Sequence, residues 1–301
     1  MIQLTRRDII AHQASVPWPD QRQVEQDLLL SLAMAALFSD EFLKSQIAMR
    51  GGTLLHKVHL APASRYSEDI DLVVFGDRTE EHIKKAIQRV LAGILGRPSK
   101  SIWESVKLSV RNVIRPSRVL RIIYNVPSQV DPRGKPMDIV VETNVTERIP
   151  HREITKMEFA YSFRDAAATT IVNGFDIHEM LGTKMRAMFQ RKRGRDLFDL
   201  YWALTNAPIP VAPAYIIESF LHYMNQEGAT AGRDEFIGIL RDHLRDRGFL
   251  SDMNSLLRQG VEYDPIIAGD YVIDNLLSLL PDDVKNTEEA AREGKPKRAR
   301  F

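Results

Sequence analysis

Apolar positions along the chain follow strand-like and helix-like spacings that divide it into a mixed first part and a helical second part. Dense apolar content over residues 22–38 predicts a buried helix. Residues 79–95 predict another helix, with acidic residues first and basic residues later, as the helix dipole favours. Strand-like runs lie at 47–49, 70–75, 106–113, 119–126 and 137–144. From about residue 165 helical patterns follow, at 177–191, 196–204, 214–226, 233–246, 250–258 and 270–280.

The order of these elements predicts the fold class. Because strands follow one another instead of alternating strictly with helices, a doubly wound dinucleotide-binding fold is not expected. The pattern predicts an α+β protein, with a mixed sheet and flanking helices over residues 1–165 and an all-α domain over 166–284. Residues 285–301 are charged and poor in bulky apolar side chains, which predicts a disordered tail. Its basic stretch, 295–300, is either a solvated end or an arm that touches nucleic acid.

Composition restricts the compartment and the partners. The chain has 301 residues, of which 44% are hydrophobic and 27% charged, as in ordinary globular proteins. It has neither a long uncharged apolar run nor an apolar signal-peptide core, so no membrane association is expected. It has no cysteine, which excludes disulfides and thiolate ligands and fits a cytoplasmic protein. The net charge is +1, so a nucleic acid would need a local basic patch.

Two aspartates separated by one residue are the most informative polar feature. Alternate strand positions share a face, so Asp69 and Asp71 should project together while Ile70 and Leu72 enter the core. Adjacent carboxylates repel each other. A divalent cation removes that cost, and Mg²⁺ favours one or two carboxylates together with substrate phosphates. Taken alone, the pattern also suits solvated acids at the start of a strand.

A small turn, Gly51-Gly52-Thr53, precedes this pair, with Thr53 sixteen residues before Asp69. Backbone N–H groups of such a turn can receive phosphate oxygens. Residues 53–58 are predicted to open a helix, with Thr53 as its cap. The turn and the carboxylates together indicate phosphoryl or nucleotidyl transfer.

A third carboxylate is expected, because two metals or a base need more than two ligands. In the strand 137–144, Asp138 and Glu142 share one face. An acid inside an apolar strand is costly unless a cation meets it. We therefore favour Glu142 over Asp138, which lies near a turn where a solvated acid is ordinary.

The helical part supplies further charges, which suggests a site that closes between the two parts. Lys184 falls on the apolar stripe of its helix, where it is either a snorkelling lysine or a point charge for a triphosphate. Asp196 and Asp199 lie one turn apart on an otherwise apolar helix and need cationic or metal partners. A structural salt bridge to Arg193 or Arg195 is the alternative.

The run 191–195 places four positive charges in five residues. It is either a solvated loop or a place where phosphates of a polynucleotide or a triphosphate dock. His56 and His59 have no further histidine at zinc-ligand spacing, and we interpret both as structural. Ser67 has no evident base partner, so a hydrolytic triad is not supported.

Three motifs resemble those of the AbiEii/AbiGii toxin nucleotidyltransferases, which include the MenT toxins. The first is Gly51-Gly52-Thr53-x-Leu55-x-Lys57 followed by Arg65-x-Ser67-Glu68-Asp69-Ile70-Asp71-Leu72. The second is the strand Ile139-Val140-Val141-Glu142-Thr143-Asn144. The third is Lys184-x-Arg186-Ala187, then Gln190-Arg191, then Gly194-Arg195-Asp196-Leu197-Phe198-Asp199-Leu200. The resemblance spans roughly residues 20–205.

The resemblance implies a polymerase-β-like nucleotidyltransferase core with a helical C-terminal domain. It implies a toxin of a toxin–antitoxin or phage-defence module that uses Mg²⁺ and an NTP. Such a toxin transfers NMP to an RNA acceptor, such as the 3′ end of tRNA, and blocks translation; its partner is an AbiEi-like winged-helix antitoxin.

The implied site residues fall into three groups. The implied metal ligands are Asp69, Asp71 and Glu142. The other implied catalytic residues are Lys184, which would bind triphosphate, and Asp199 or Asp196, which would complete the cluster. Asp199 would deprotonate or orient the acceptor hydroxyl. The implied substrate-binding residues are Gly51, Gly52, Thr53, Lys57, Arg65, Ser67, Arg186, Arg193 and Arg195, the last two for the acceptor RNA.

Two other functions suit the same residues. A kinase-like phosphotransferase acting on a protein or small molecule would use Lys184 and the acids, although a kinase glycine loop is absent from the sequence. A non-catalytic NTP-binding partner protein would use the acids and bases only for an interdomain salt-bridge network.

Overall fold

A mixed β-sheet forms the centre of the fold. The structure is a computed structural model that describes residues 1–110, 113–226 and 232–282, without the side chains of 106–116. Its strands are β1 (Ile47–Arg50), β2 (Asp69–Val74), β3 (Lys100–Val110), β4 (Val113–Val126), β5 (Met137–Asn144), β6 (Thr155–Phe163) and β7 (Ala166–Gly174). Within the described ranges they form one seven-stranded sheet in the order β3-β4-β5-β2-β1-β7-β6. The predicted tail 285–301, including the basic stretch 295–300, lies outside the described residues.

Strand β2 lies near the middle of the sheet, antiparallel to β1 and parallel to β5. Its burial alternates at the start, with Ile70 and Leu72 in the core and the two aspartates on the other face. The strand predictions at 47–49, 70–75 and 137–144 are confirmed. The strands predicted at 106–113 and 119–126 are also present, but both begin earlier and form the long pair β3 and β4.

Strands β6 and β7 form an antiparallel hairpin that the sequence pattern did not predict. Strand β7 joins the sheet parallel to β1, so the hairpin extends one side of the sheet. The segment Ala166–Gly174 begins with small residues, lacks clear alternation, and alanine is depleted in strands. The hairpin crosses residue 165, where a change to helices was expected; the division into domains at that residue stays a prediction.

The helices that flank the sheet are α1 (Arg6–Gln13), α2 (Gln21–Ser39), α3 (Glu41–Lys44), α4 (Gly51–Leu54) and α5 (Glu80–Leu95). Asp20 caps α2 through a capping box with Gln23, so the helix begins where its apolar content begins. Helix α2 is buried along most of its length, and α5 packs against it and buries Ile83, Ile87 and Leu91. The helices predicted over 22–38 and 79–95 are therefore confirmed.

The turn after β1 differs from the prediction. Helix α4 begins at Gly51, with Arg50 as its N-cap, and continues into a π-helical turn, Leu55–His59. The prediction that Thr53 caps this helix is wrong. The Thr53 hydroxyl instead donates a hydrogen bond to the backbone carbonyl of Asp69, which ties the turn to the start of β2.

The second part of the chain is helical from Ile177 onward within the described residues. Its helices are α6 (Ile177–Gln190), α7 (Gly194–Asn206), α8 (Pro213–Gln226), α9 (Arg233–His243), α10 (Arg247–Ser251) and α11 (Pro265–Asn275), followed by a 3₁₀ turn, Leu277–Leu279. One buried apolar cluster contains Ile70 of the sheet and Leu197 of α7, so the core continues into these helices. No helix among the described residues is long and apolar enough to cross a membrane.

Candidate active site

An open cleft of about 750 Å³ lies between the sheet and helix α6. The turn after β1 and the polar faces of β2 and β5 form one side, and α6 with the α6–α7 loop forms the other. The predicted site residues that line it are Gly51, Gly52, Arg65, Ser67, Asp69, Asp71, Glu142, Lys184, Arg186, Arg193 and Arg195. Four predicted residues lie outside this lining: Thr53, Lys57, Asp196 and Asp199.

Strand register places four charged residues in a row across the sheet. Arg50 of β1 is paired with Asp71 of β2, Asp71 with Glu142 of β5, and Glu142 with Arg121 of β4. Directly paired residues project on the same face of a sheet. Two acids therefore lie side by side, with an arginine at each end of the row.

Asp69 and Asp71 lie close together in a poorly solvated part of the cleft. Burial, followed by the charges of Asp71 and Glu142, raises the pKa of Asp69 to about 7. Burial and then Glu142 raise the pKa of Asp71. Neither carboxylate has a hydrogen bond or an ion pair with any residue that the structure describes. This unpaired pair is a negative site that a divalent cation would relieve.

The third acid is held differently. The Glu142 Oε1 atom accepts hydrogen bonds from Nε of Arg121 at 2.9 Å and from Nη2 at 2.6 Å. Asp138, the other candidate from the sequence, is exposed and accepts a hydrogen bond from Asn125. It does not line the cleft. Glu142 thus adds negative charge beside Asp71 while its carboxylate is already paired, and its role as a metal ligand stays a prediction.

The donor set fits a cation that needs few protein ligands. Among the described residues, no group of three or more His, Asp or Glu side chains is arranged to hold a metal ion. Two adjacent, unpaired carboxylates remain. Mg²⁺ usually takes one or two carboxylates from the protein when substrate phosphates supply its further ligands.

The two glycines of the turn allow very close approaches. Gly51 has φ +81°, and a Cβ built on it would lie 1.8 Å from Oδ2 of Asp71. A Cβ on Gly52 would lie 2.7 Å from Nη2 of Arg65 and 2.9 Å from Oγ of Ser67. A side chain at either position would displace the groups that surround the turn, so only glycine keeps this backbone accessible from the cleft.

Asp199 lies beneath the cleft and not in it. Its carboxylate is fully buried and accepts from Nε and Nη2 of Arg65 at 2.6 and 2.7 Å. Lys184 Nζ lies 2.9 Å from its Oδ2. Burial alone would raise the pKa of Asp199, but Arg65 and then Lys184 outweigh it and hold that pKa well below its usual value. Asp199 therefore positions two cations that line the cleft while lying outside the lining itself. Its predicted role at the acceptor hydroxyl stays a prediction.

His56 completes this buried network. Its Nε2 lies 2.8 Å from Oδ1 of Asp199, and its Nδ1 lies 3.2 Å from Oγ of Ser64. A carboxylate only accepts, so Nε2 carries the proton and Nδ1 accepts from the serine. Burial, followed by the charge of Arg65, lowers the pKa of His56 to about 4 and keeps it neutral. The order Ser64–His56–Asp199 is that of a hydrolytic triad, but Ser64 is 2% exposed, so its hydroxyl cannot meet a substrate.

Asp196 is also buried, and its carboxylate pairs with two basic residues. Its two oxygens accept from Nε and Nη2 of Arg191, at 2.8 and 2.9 Å, and Lys184 Nζ lies 3.3 Å from Oδ1. Lys184 is thus held between Asp196 and Asp199 at the wall of the cleft. Arg191, which belongs to the basic run and the third motif but was not among the implied site residues, lines the cleft beside it.

Arg193 and Arg195 lie at the mouth of the cleft, at the start of α7. Arg195 donates through Nε to Oδ2 of Asp252 at 3.2 Å, and Arg193 Nη1 lies 3.9 Å from Oδ1 of the same residue. The acids of α7 therefore do not pair with these arginines, which was the alternative considered from sequence. Arg193 has a side chain that is 60% exposed and is available to a ligand at the mouth.

Lys57 points away from the cleft. Its Nζ lies 2.6 Å from Oδ1 of Asp27 and 3.0 Å from Oγ of Ser31, both on helix α2. His12 approaches the same aspartate oxygen at 2.7 Å. The π-helical turn thus directs Lys57 into a buried network with α1 and α2 and away from the cleft, and its substrate-binding role stays a prediction.

Sequence reasoning missed Arg50 and Glu147. Glu147 accepts from Nη1 of Arg50 at 2.5 Å and from Nη1 of Arg186 at 2.9 Å. Burial would raise the pKa of Glu147, but Arg50 and Arg186 outweigh it and lower that pKa to about 2. The position of Arg50 directly before Gly51 was a usable signal. Glu147 gave none, since an acid in a loop looks solvated.

Two comparisons with known proteins find proteins that resemble most of the chain. A family model described as "Nucleotidyl transferase AbiEii toxin, Type IV TA system" matches residues 32–277. Among solved structures, the chain is similar to MenT4, a nucleotidyltransferase toxin from Mycobacterium tuberculosis H37Rv, with a TM-score of 0.61 and 16% identity. That similarity covers 98% of this chain and 96% of the other and shows a shared fold. No curated protein sequence matches the chain.

Proposed function

Because the chain belongs to the AbiEii family of nucleotidyltransferase toxins of type IV toxin–antitoxin systems, we propose that it transfers NMP from an NTP to an RNA acceptor in a Mg²⁺-dependent reaction. The observation that carries the proposal is the unpaired Asp69–Asp71 pair beside the Gly51–Gly52 turn. Carboxylates that repel each other next to an accessible backbone turn suit a metal and a phosphate together.

Asp69 and Asp71 would hold the Mg²⁺, which when bound supplies positive charge to the triphosphate. The backbone of Gly51 and Gly52 and the hydroxyl of Ser67 line the same part of the cleft and would bind phosphate oxygens. Lys184, fixed by Asp196 and Asp199, would add charge near the leaving group.

In the proposed reaction a hydroxyl oxygen of the acceptor forms a bond to the α-phosphorus of the NTP, and the hydroxyl proton is released to water. The bond from that phosphorus to the α,β-bridging oxygen breaks, and pyrophosphate leaves with the bonding electrons. Positioning and charge are the main contributions a protein makes to such a transfer. The acceptor would enter at the mouth, where Arg193 and Arg195 can contact its phosphates.

The biological setting follows from the resemblance. We propose that the acceptor is the 3′ end of a tRNA, that its modification blocks translation in the cytoplasm, and that an AbiEi-like winged-helix antitoxin controls the toxin in a defence module. A polynucleotide acceptor agrees with the exposed arginine at the mouth, because a protein of net charge +1 has to bind RNA through a local patch.

The deciding experiment is transfer of label from each α-³²P NTP to total RNA in the presence of Mg²⁺, with Asp71→Ala beside the wild type. Asp71→Ala should abolish transfer. The matched control is Asp138→Asn, which removes an exposed acid from the neighbouring strand and should leave transfer intact. Unchanged transfer by Asp71→Ala would contradict the mechanism.

The position of the label separates this reaction from phosphoryl transfer. NMP transfer carries the α-label to the product, whereas a kinase-like enzyme carries the γ-label. A non-catalytic partner would show neither labelled product. One whose acids and bases only form a salt-bridge network would also show no Mg²⁺-dependent NTP binding by calorimetry.

A further inference from the structure

Resting on the proposed function, we propose that Glu147 is a positioning residue that holds Arg50 and Arg186 as a paired clamp for the triphosphate of the NTP. Glu147 lies in the connection after β5, Arg50 ends β1, and Arg186 lies on α6. The carboxylate accepts from both guanidinium groups, at 2.5 and 2.9 Å. The three residues therefore join both sides of the cleft.

The turn that carries Glu147 is itself held in place. Asn144, the last residue of β5, accepts from the backbone N–H groups of Thr146 and Glu147 at 2.8 and 2.9 Å. Its Nδ2 atom also donates to Oε2 of Glu147 at 3.3 Å. The glutamate side chain is 13% exposed, so its position is set by the protein and not by solvent.

Both arginines are directed toward the place where phosphates are expected. Arg50 and Arg186 line the cleft, and Arg50 directly precedes Gly51 and is paired with Asp71 in the sheet. The guanidinium of Arg186 also packs on the ring of Tyr223, with Cζ 4.8 Å from its centroid. Arg186 is thus held from two sides at the wall of the cleft.

Two guanidinium groups at the wall of the cleft favour an anionic ligand. Both donate to the one carboxylate of Glu147. Two guanidinium groups repel each other, and Glu147 offsets that repulsion at this spacing. A guanidinium has five N–H donors, and Arg50 donates only Nη1 to Glu147, so further donors of Arg50 can meet phosphate oxygens.

The alternative is that Glu147 merely fastens the β5–β6 connection to α6. If Glu147 only fastens this connection, its substitution should lower the stability of the fold. The affinities for tripolyphosphate, NTP and NMP should then all fall by a similar factor. A positioning role would lower affinity only for ligands that carry the polyphosphate. Inorganic tripolyphosphate without Mg²⁺ tests the clamp directly, because its binding requires neither the base nor the metal.

The experiment is calorimetric binding of tripolyphosphate, NTP and NMP to wild type, Glu147→Gln and the control Glu218→Gln. Glu218 accepts from Arg152 at 2.7 Å outside the cleft, so Glu218→Gln removes an arginine's carboxylate partner without changing the lining of the cleft. The Glu218 side chain is 55% exposed, against 13% for Glu147. For Glu147→Gln we expect about a tenfold weaker affinity for tripolyphosphate and NTP, about 1.4 kcal/mol, and NMP affinity unchanged. In transfer assays KM for NTP should rise by the same factor with little change in kcat. The control should match the wild type.

If Glu147→Gln does not fold, Arg50→Lys keeps the charge but loses the planar fork and should show the same selective loss. Equal weakening for NMP and NTP, or absence of tripolyphosphate binding by the wild type, would overturn the clamp. Failure of the proposed function is a separate result: a wild type that binds tripolyphosphate but transfers no NMP would sink the nucleotidyl transfer and leave the clamp supported.

Discussion

Arg65 and Asp199 form a bidentate ion pair in which Nε meets Oδ1 at 2.6 Å and Nη2 meets Oδ2 at 2.7 Å. Both side chains are essentially buried, at 2% and 0% exposure. Arg65 stands four residues before Asp69, and Asp199 lies on α7, so the pair fixes the acid strand relative to the helices. Asp199 does not line the cleft, but its pair with Arg65 therefore helps to determine the geometry of the cleft.

Asp199→Asn should be strongly destabilising. It leaves Arg65 and Lys184 as buried charges without their counter-ion, and breaking a buried pair in this way costs about 3–5 kcal/mol. Denaturant unfolding measures the change. The control is Asp165→Asn, which removes the exposed partner of Arg7 and should cost less than about 1 kcal/mol. Similar, small losses in the two variants would mean that the buried pair contributes little.

Asp27 should make the fold sensitive to acid. Burial would raise the pKa of Asp27, but Lys57 and then His12 outweigh it and lower that pKa to about 2. The folded pKa lies below the unfolded value of 3.8, so the stabilisation is present above pH 3.8 and is lost as pH falls toward 2. The loss should be about 2 kcal/mol. Urea unfolding across this range should show a steeper decline for wild type than for Asp27→Asn; parallel profiles would contradict the linkage.

The fold was predictable where the pattern is local. Each of two patterns lies within a single element: the alternation around Asp69 and Asp71 within β2, and the dense apolar content within α2. Sequence alone therefore predicts both elements. The β6–β7 hairpin was not predicted, because the alanines and threonines at Ala166–Gly174 give no alternation of apolar and polar residues. Strand β7 forms by pairing with β6 and β1, and such long-range pairing is not visible in a short window of sequence.

The candidate site was predictable to the extent that its residues share a short motif. The glycine turn and the acid pair are close in sequence and line one cleft. Lys57 belongs to the same motif, but the sequence does not show that its turn is π-helical and directs it to Asp27. Glu147 became visible only through contacts with residues 97 and 39 positions away in the chain.

Gly51→Ala should abolish NTP-dependent activity. The new Cβ would lie 1.8 Å from Oδ2 of Asp71, and φ is +81°, so both the acid and the backbone must move. Activity on labelled NTP and Mg²⁺ binding measure the effect. The control is Gly93→Ala in the interior of α5, where nothing lies within 4 Å of the new Cβ. That variant should be active and about 0.5–1 kcal/mol more stable. An active Gly51→Ala would show that the close approach is dispensable.

Mg²⁺ should stabilise the protein through Asp69 and Asp71. Both carboxylates are unpaired within the described residues, and a cation that binds only the folded state raises the thermal unfolding midpoint by mass action. The pKa of Asp69 is raised to about 7, so this group holds a proton below that pH, and Mg²⁺ must displace it. The midpoint shift at a fixed Mg²⁺ concentration should therefore be larger at about pH 8 than at about pH 6. Asp71→Asn should abolish the shift, and Asp138→Asn, which changes an exposed acid outside the cleft, should retain it. A full shift in Asp71→Asn would place the metal elsewhere on the protein.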